Sequence, residues 1–287
     1  MSRHLLSLLS ILALLGLAGC DIEERLPAEV VSLSKSQPFG NEKSLEAEIR
    51  FDIGSLEVAG EKSASIYSFD LDYDKSSYSP DVRYEEAGDV GRLHFRLESQ
   101  RKIGLRADRR PNRLRLNLSP KLPLRLAVNT GVGDSRLSLT GLKISDLQID
   151  TGVGGSRLST YESNSIVCDR VRIKSGVGSL DATGLGNLNF RELEFEGGVG
   201  GANLEFSGEW QQNAEIRIQV GVGGVSLRMP RVVGIKVEGH KNFLSGFHLD
   251  GFVKRDSTYF SENYDAARIR ASVHIVTGVG GFRISWI

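Results

Sequence analysis

Apolar and polar residues alternate along most of this chain, and the alternation returns at regular intervals. It flanks a Gly-Val-Gly tripeptide: the third and fifth residues before each first glycine are apolar, as with Val128 and Leu126, and their neighbours are mostly polar. A second alternating stretch follows the tripeptide, as with Leu137 and Leu139. Since the side chains of a strand point alternately to opposite faces, the pattern predicts pairs of short strands with one buried face.

The tripeptide recurs at nearly constant spacing. Its copies begin at Gly131, Gly152, Gly176, Gly198, Gly221 and Gly278. The last interval is more than twice as long as the others and fits one unit that carries an insertion. A degenerate copy, Asp52-Ile53-Gly54, precedes them. A unit of about 22 residues cannot bury an apolar face alone but can do so by stacking, so the repeat predicts an all-β fold, a β-solenoid of stacked coils.

The tripeptides are expected to form the corners of this solenoid. A tight corner needs unusual backbone angles and room for the backbone of the next coil, and glycine provides both. We expect the valine between the two glycines to point inward.

The polar positions predict that the coils stack in register. Equivalent residues of stacked coils lie about 4.8 Å apart. One outward row would then contain Asp150, Lys174, Glu196 and Gln219, and another would contain Gln148, Arg172, Glu194 and Arg217. Charges of opposite sign are neighbours along these rows, as cross-strand pairing favours.

Two regions interrupt the repeat, at about 63–98 and about 240–265, and are predicted to be hairpin-like insertions near the two ends. The second is rich in aromatic residues, namely Phe243, Phe247, Phe252, Tyr259, Phe260 and Tyr264. Exposed aromatic side chains can mark a binding surface. They can also cover the end of the core, because the open end strands of a solenoid need a cap. These six residues are the candidate partner surface, and both interpretations stay open.

The N-terminus has the pattern of an export signal. A short basic start is followed by an apolar run over Leu5–Leu17 and by Ala18-Gly19-Cys20. About 13 apolar residues are too few to span a bilayer core of roughly 30 Å. Leu-Ala-Gly-Cys resembles the lipobox of bacterial lipoproteins, which implies cleavage between Gly19 and Cys20 and a diacylglycerol thioether on Cys20. The alternative is an ordinary signal peptide with an incidental cysteine.

The chain thus divides into a signal peptide over 1–19, a lipidated cysteine with a flexible tether over 20–44, and one solenoid domain over 45–287. The tether is predicted because residues 21–42 are polar and without periodicity. Asp21 resembles the inner-membrane retention signal of enteric lipoproteins. This favours the periplasmic side of the inner membrane within the cell envelope, with the outer membrane or cell surface as alternatives.

Composition excludes several classes of protein. The 36 Lys and Arg balance the 36 Asp and Glu, so we expect no nucleic-acid partner. Once Cys20 carries lipid, Cys168 is the remaining thiol and no intrachain disulfide can form. Cys168 lies near a strand start with no evident base, so we interpret it as a core residue rather than a nucleophile. No other apolar run approaches the length of a membrane span.

The repeat resembles the toast-rack domains of bacterial envelope proteins, which include the C-terminal part of LiaF-like stress proteins. The resemblance begins at Phe51-Asp52-Ile53-Gly54-Ser55-Leu56-Glu57-Val58 and continues at Gly91-Arg92-Leu93-His94-Phe95. Later copies, such as Leu122–Gly133, are similar to the strand repeats of the putative-adhesin group. The resemblance covers roughly residues 45–287 and implies a β-solenoid at a bacterial envelope. It supplies no catalytic residues, and the chain lacks the membrane helices of LiaF-like regulators.

The glycine-rich corners do not have the spacing of a nucleotide site. A P-loop needs Gly-x4-Gly-Lys-Ser/Thr, and a dinucleotide fingerprint needs a third glycine and a following helix. Neither is present. The histidines are scattered, so we expect no metal and no cofactor. His274 falls in an outward row of the repeat.

Three functions stay open. The first is a non-enzymatic, lipid-anchored envelope protein that binds a protein or wall polymer on a rigid scaffold. The second is a regulator of envelope stress, by the LiaF-like resemblance. The third is a carbohydrate-active β-helix enzyme, for which Glu192, Glu194 and Glu196 form an acidic cluster. Such an enzyme should have an outward cleft with acids of perturbed pKa.

Overall fold

The computed structural model describes residues 29–100, 112–239 and 246–287. The signal peptide, Gly19, Cys20, Asp21 and Phe243 lie outside the described residues. Nineteen strands lie within them: β1 (Val30–Pro38), β2 (Ser44–Ile53), β3 (Ser55–Gly60), β4 (Ser65–Asp74), β5 (Tyr78–Ala87), β6 (Val90–Ser99), β7 (Arg113–Leu118), β8 (Pro123–Val132), β9 (Ser135–Ser138), β10 (Lys143–Ser159), β11 (Cys168–Thr183), β12 (Phe190–Glu205), β13 (Ala214–Met229), β14 (Val233–Gly239), β15 (Phe247–Leu249), β16 (Phe252–Arg255), β17 (Thr258–Ser261), β18 (Ile269–Val279) and β19 (Phe282–Trp286).

The strands form one sheet that bends at the Gly-Val-Gly corners, so that each coil contributes to two wings. The first wing holds the strand segment before each corner, and the second wing holds the segment after it. In the middle of the stack, β10 to β13 run through the corner without a break and pair in parallel with their neighbours. The all-β solenoid predicted from the repeat is confirmed.

The register agrees with the repeat. Ile149 pairs with Ile173, Ile173 with Phe195 and Phe195 with Ile218. These side chains are at most 2% exposed. Equivalent apolar residues therefore stack directly upon one another, and one continuous core runs along the inside of both wings. The last repeat unit, which follows the long insertion, joins the same stack, since β18 and β19 pair directly with β13.

Buried asparagines hold the two loops that connect β10 to β11 and β11 to β12. Asn164 donates a hydrogen bond from Nδ2 to the carbonyls of Ile144 and Leu188, at 2.7 and 3.0 Å. Asn187, within the short 3-10 helix Leu185–Leu188, donates to the carbonyl of Thr160. Because buried backbone carbonyls need a partner, these side chains link the loops of successive coils where no strand does so.

The coils do not stack in chain order at the two ends. The coil formed by β6 and β7 pairs with the outer side of β2 and β3, whose inner side pairs with β8 and β9. At the other end, β18 lies between β13 and β14, although β14 precedes it in the chain. Each end also has an antiparallel hairpin, β5–β6 and β16–β17, as predicted for the two insertions.

The tether prediction does not hold from residue 30 onward. Residues Val30–Pro38 form β1, which pairs with β4 in an antiparallel arrangement. The strand is mostly exposed, and for this reason it lacks the apolar alternation that reveals the other strands. Its backbone pairs with β4, which pairs with β7 on its other side, and side-chain contacts such as Ser34 with Asp70 are at the surface.

Candidate binding surfaces

The corner glycines are required by close approach of the coil backbones. Gly200 has a φ of 143°, and a Cβ atom there would lie 1.7 Å from the carbonyl oxygen of Gly178. Gly178 and Gly154 have the same relation, at 1.8 Å. No side chain fits into such a distance, and L-residues rarely adopt this φ. The second glycines of the tripeptides therefore form a column of backbone without side chains.

The valines between these glycines point outward, so the prediction that they face the core is wrong. The middle residues are 41–69% exposed at Val132, Val153, Val177, Val199, Val222 and Val279. The residue before each first glycine still faces inward, but the next inward residue comes five positions later, as with Ser175 and Leu180. The positive φ of the second glycine reverses the side-chain alternation at the corner. The valines form one exposed apolar row, which we call the valine ridge.

Charged ladders cover the outer side of the first wing, as the polar positions predict. Arg172 contacts Glu194 at 2.9 Å and Lys174 contacts Glu196 at 2.7 Å, in both cases across adjacent strands. Glu192 lies between Arg170 and Arg217, which belong to the strands on either side. All these groups are partly exposed, so each pair contributes at most about 1 kcal/mol. Their main effect is to favour the correct register.

A shallow groove of about 590 Å³ runs beside the corner on the first wing. It crosses four neighbouring strand segments and ends at β18. Its lining combines residues of the charged outer row with residues of the corners, among them Asp150, Lys174, Glu196, Gln219, Gly176, Gly198, Gly221 and Gly278. Sequence reasoning identified the outer row but not the groove, because its depth results from the bend at the glycines.

The pKa of Glu196 is lowered, chiefly by the hydrogen bond from Lys174. A carboxylate with a lowered pKa stabilises the fold above its pKa in the unfolded chain and loses this effect as the pH falls through its pKa in the folded state. Replacing Lys174 by Gln should raise the pKa of Glu196 towards the ordinary value. We expect the variant to be less stable than the parent at about pH 7 and equally stable at about pH 2.

Urea unfolding at both pH values and NMR titration of the Glu196 carboxyl measure this effect. Arg191→Gln is a matched control, because Arg191 pairs with Asp169 on the same two strands but at their far end. It should leave the pKa of Glu196 unchanged. An unchanged pKa in the Lys174→Gln variant would contradict the assignment of the shift to Lys174.

Glu196 belongs to the acidic cluster of the first wing. Its pKa is lowered chiefly by the hydrogen bond from Lys174, whereas a general acid needs a raised pKa. His274 lies in the same outward rows, with its ring nitrogens 3.4 Å from Glu215 and 3.2 Å from Glu238. Over residues 29–100, 112–239 and 246–287, no group of three or more His, Cys, Asp and Glu has the arrangement of a metal site.

The structure places the described aromatic residues of the predicted partner surface at the C-terminal end of the stack. Phe252 stacks on Trp286, with ring centroids 5.4 Å apart. Phe260 and Tyr264 meet edge to face at 4.9 Å, and Tyr259 packs against the core. Phe247 begins the short strand β15, which pairs with β19.

Arginines cover the outer faces of this aromatic group. The guanidinium group of Arg255 lies 4.9 Å from the ring centroid of Phe260, and that of Arg270 lies 5.4 Å from Tyr264. Such cation–π contacts stabilise partly exposed rings. The four described rings are each half-buried. Phe252 and Tyr259 pack against the core, whereas Phe260 and Tyr264 form a mixed cationic and aromatic surface with the arginines.

Cys168 is buried in the core, and burial raises its thiol pKa to about 12. Only a thiolate reacts readily with a disulfide reagent or a maleimide. We therefore expect no labelling of Cys168 in the folded protein at neutral pH, and stoichiometric labelling after unfolding in urea. A thiol titration with and without denaturant tests this, and rapid native labelling would contradict the burial.

Sequence reasoning missed a polar link near the entry of the chain. Asp74 accepts a hydrogen bond from the backbone of Glu29 at 3.0 Å, and Asn112 donates to the carbonyl of Ile53 at 3.0 Å. Asn112 also accepts from the backbone of Asp74. The three segments are far apart in the chain, so no local pattern indicates that they meet.

The profile of one protein family matches most of this chain. The N-terminal domain of toast_rack, DUF2154, matches residues 26–183 and 173–228. Together these segments span more than half of the sequence. The chain belongs to the toast-rack family, and the resemblance seen in the repeat is confirmed.

Two solved structures align with most of this chain at low sequence identity. A "putative cell adhesion protein" from Clostridium sporogenes ATCC 15579 is 19% identical with a TM-score of 0.48, over 90% of this chain and 100% of the other. A "putative adhesin" from Bacteroides fragilis NCTC 9343 is 12% identical with a TM-score of 0.42, over 90% and 97%. No curated protein matches the sequence. In the described part of the chain, no helix is long and apolar enough to cross a membrane.

Proposed function

We propose that this protein is a lipid-anchored component of a bacterial cell envelope that binds a partner on a rigid, non-enzymatic scaffold. The observation that carries the scaffold role is the unbroken register of the parallel stack, in which β10 to β13 and β18 pair residue by residue. Stacked coils of this kind present an extended, regular surface. Membership of the toast-rack family agrees with this role.

The anchor is proposed from the sequence of the N-terminus. Leu17-Ala18-Gly19-Cys20 gives the lipobox, with cleavage after Gly19 and acylation of Cys20. Two or more acyl chains hold a protein stably at a membrane, whereas one chain does so only marginally. Asp21 favours the periplasmic side of the inner membrane over the outer membrane or cell surface.

The groove on the first wing is the surface we propose for the partner. It combines both signs of charge, from Lys174 and Glu196, with the backbone of the corner glycines along several coils. An extended protein segment or a wall polymer fits a shallow groove of this shape better than a compact ligand does, because the groove has no enclosed end. The aromatic end is the second candidate surface, through Phe260, Tyr264 and the arginines above them.

Mass spectrometry of the purified full-length protein tests the anchor. The expected N-terminal peptide begins at Cys20 and carries a diacylglycerol thioether, and Cys20→Ser should move the protein from the membrane to the soluble fraction. A Cys20→Ser protein that stays in the same membrane fraction would contradict the anchor.

Cross-linking in intact envelopes, followed by mass spectrometry, tests the partner role. The expected result is one reproducible partner, captured less by the groove variant Lys174→Gln/Gln219→Ala than by the parent. Arg191→Gln, at the far end of the same strand as Glu196, is the matched control and should not reduce capture. Equal capture of the partner by both variants would contradict the proposal that the groove is the binding surface.

A further inference from the structure

The valine ridge is a continuous uncharged strip on the surface of a chain rich in charges. Its central rungs are Val153, Val177, Val199, Val222 and Val279, which are 48–69% exposed. The two residues on each side of every one of these valines are Gly, Ser, Thr or Val. At about 4.8 Å per rung, these five rungs form an apolar line of about 19 Å. Single exposed valines are ordinary, but a continuous row indicates a contact surface.

The nearest charged groups restrict the ridge to these five rungs. At the two preceding rungs, Asp52 is adjacent to Ile53 and Asp134 is two residues after Val132. The Asp134 carboxylate accepts a hydrogen bond from the backbone of Gly155 at 3.0 Å, so it is fixed at the corner. An apolar partner would therefore contact the ridge from Val153 onward.

The chain enters the fold at the same corner. Glu29 donates its backbone N–H to Asp74, the backbone N–H of Asp74 is held by Asn112, and Asn112 donates to the carbonyl of Ile53. Ile53 is the first rung of the ridge, since it pairs with Val132. The first described residue is thus linked to the start of the ridge by three consecutive hydrogen bonds.

The distances place the proposed lipid within reach of the ridge. Glu29 directly precedes β1, and Ile53 ends β2 two residues before β3 begins. The strand order β1-β4-β7-β3 separates β1 from β3 by about 14 Å at the usual strand spacing. Cys20 precedes Glu29 by nine residues, a length that reaches at most about 30 Å. A lipid on Cys20 therefore holds the corner close to the bilayer.

We infer that the valine ridge rests on the surface of the membrane that holds the lipid of Cys20. This inference depends on the proposed lipid anchor. The lipid supplies the affinity for the membrane. Because the protein is already tethered, the ridge contacts the same membrane without a second association step, and this contact orients the solenoid along the membrane. The groove on the first wing, being beside the corner, opens along the membrane surface in this orientation.

A bilayer fits the shape of the ridge better than a second copy does. The ridge is convex and one residue wide, so two ridges would meet only along a line. A stable protein interface buries about 800 Å² on each partner, which one row of half-exposed valines does not provide. The surface of a bilayer is a flat boundary between apolar and polar regions. The ridge contacts this boundary when the methyl groups of its valines insert shallowly along the row.

Site-directed fluorescence on the full-length, lipidated protein tests the inference. Val177→Cys on the ridge is labelled with an environment-sensitive dye, in vesicles of phosphatidylethanolamine and phosphatidylglycerol. Val232→Cys is the matched control, because Val232 is 75% exposed and follows the far end of β13. Cys168 is buried and does not compete for the dye. We expect blue-shifted emission and at least twofold stronger quenching by nitroxide lipids at position 177 than at position 232.

The other outcomes distinguish a failure of the ridge contact from a failure of the lipid anchor. Equal emission and quenching at both positions, with Cys20 acylated and the protein on the vesicles, would overturn the ridge contact and leave the anchor intact. Disulfide formation between two Val177→Cys chains, with no quenching, would replace the membrane by a second copy. A Cys20 without acyl chains would overturn both proposals together.

Discussion

Replacement of Gly200 by Ala should destabilise the protein by about 3 kcal/mol, the largest effect that we expect from a single methyl group in this chain. Two costs combine. The φ of 143° at Gly200 is a conformation that an L-residue adopts only with strain of about 1–3 kcal/mol. In addition, the new Cβ would lie 1.7 Å from the carbonyl oxygen of Gly178, which is backbone and cannot rotate away. The two coils must therefore separate locally.

Urea unfolding of the parent and of two alanine variants measures this effect. Gly201→Ala is a close control, because it adds the same methyl group one position further along the same strand. There the φ is not positive and the nearest atom, the carbonyl oxygen of Gly224, is 3.9 Å away. Its free energy of unfolding should change by less than about 1 kcal/mol. Similar losses for both variants would show that chain flexibility, and not the close approach, explains the corner glycines.

Replacement of Leu193 by Ala should cost about 3 kcal/mol, within the range of buried leucine truncations. Leu193 is fully buried on β12 and lies in register between Val171 and Ile216 on the neighbouring strands. Both neighbours are held by their own ladders, so the stack cannot close the cavity. The free energy of unfolding in urea is the measurement.

Val199→Ala is the control for Leu193→Ala, on the same strand and at the corner. Val199 is 51% exposed, so truncation removes little buried area and should change the free energy of unfolding by less than about 1 kcal/mol. A loss as large as that of Leu193→Ala would mean that the valine ridge exists to stabilise the stack. A small loss would show that the valine ridge is not needed to stabilise the stack.

The aromatic residues near the C-terminus have contacts that their sequence pattern did not specify. Their rings were predicted to form either a cap or a binding surface. Phe252 stacks on Trp286 and Tyr259 packs on the core, whereas Phe260 and Tyr264 lie under arginines. The sequence could not separate these roles, because the partner rings and cations come from segments distant in the chain.

The sequence by itself determined the repeating unit, the buried positions and the register. Alternation is a local property, and a coil length of about 22 residues allows only one stacked arrangement of equivalent residues. For this reason the pairs Arg172–Glu194 and Lys174–Glu196 could be predicted from the sequence and are present in the structure. The corner glycines were predicted on the same grounds.

Only the tertiary structure decided the side on which the valines lie, the order of the end coils and the role of β1. The positive φ at each corner reverses the side-chain alternation, and an extrapolated pattern does not contain this reversal. The coils have interchangeable apolar faces, so their local patterns do not specify that β6 pairs outside β2, or that β18 lies between β13 and β14. That order depends on pairing between distant segments, and it brings the entry of the chain to the valine ridge.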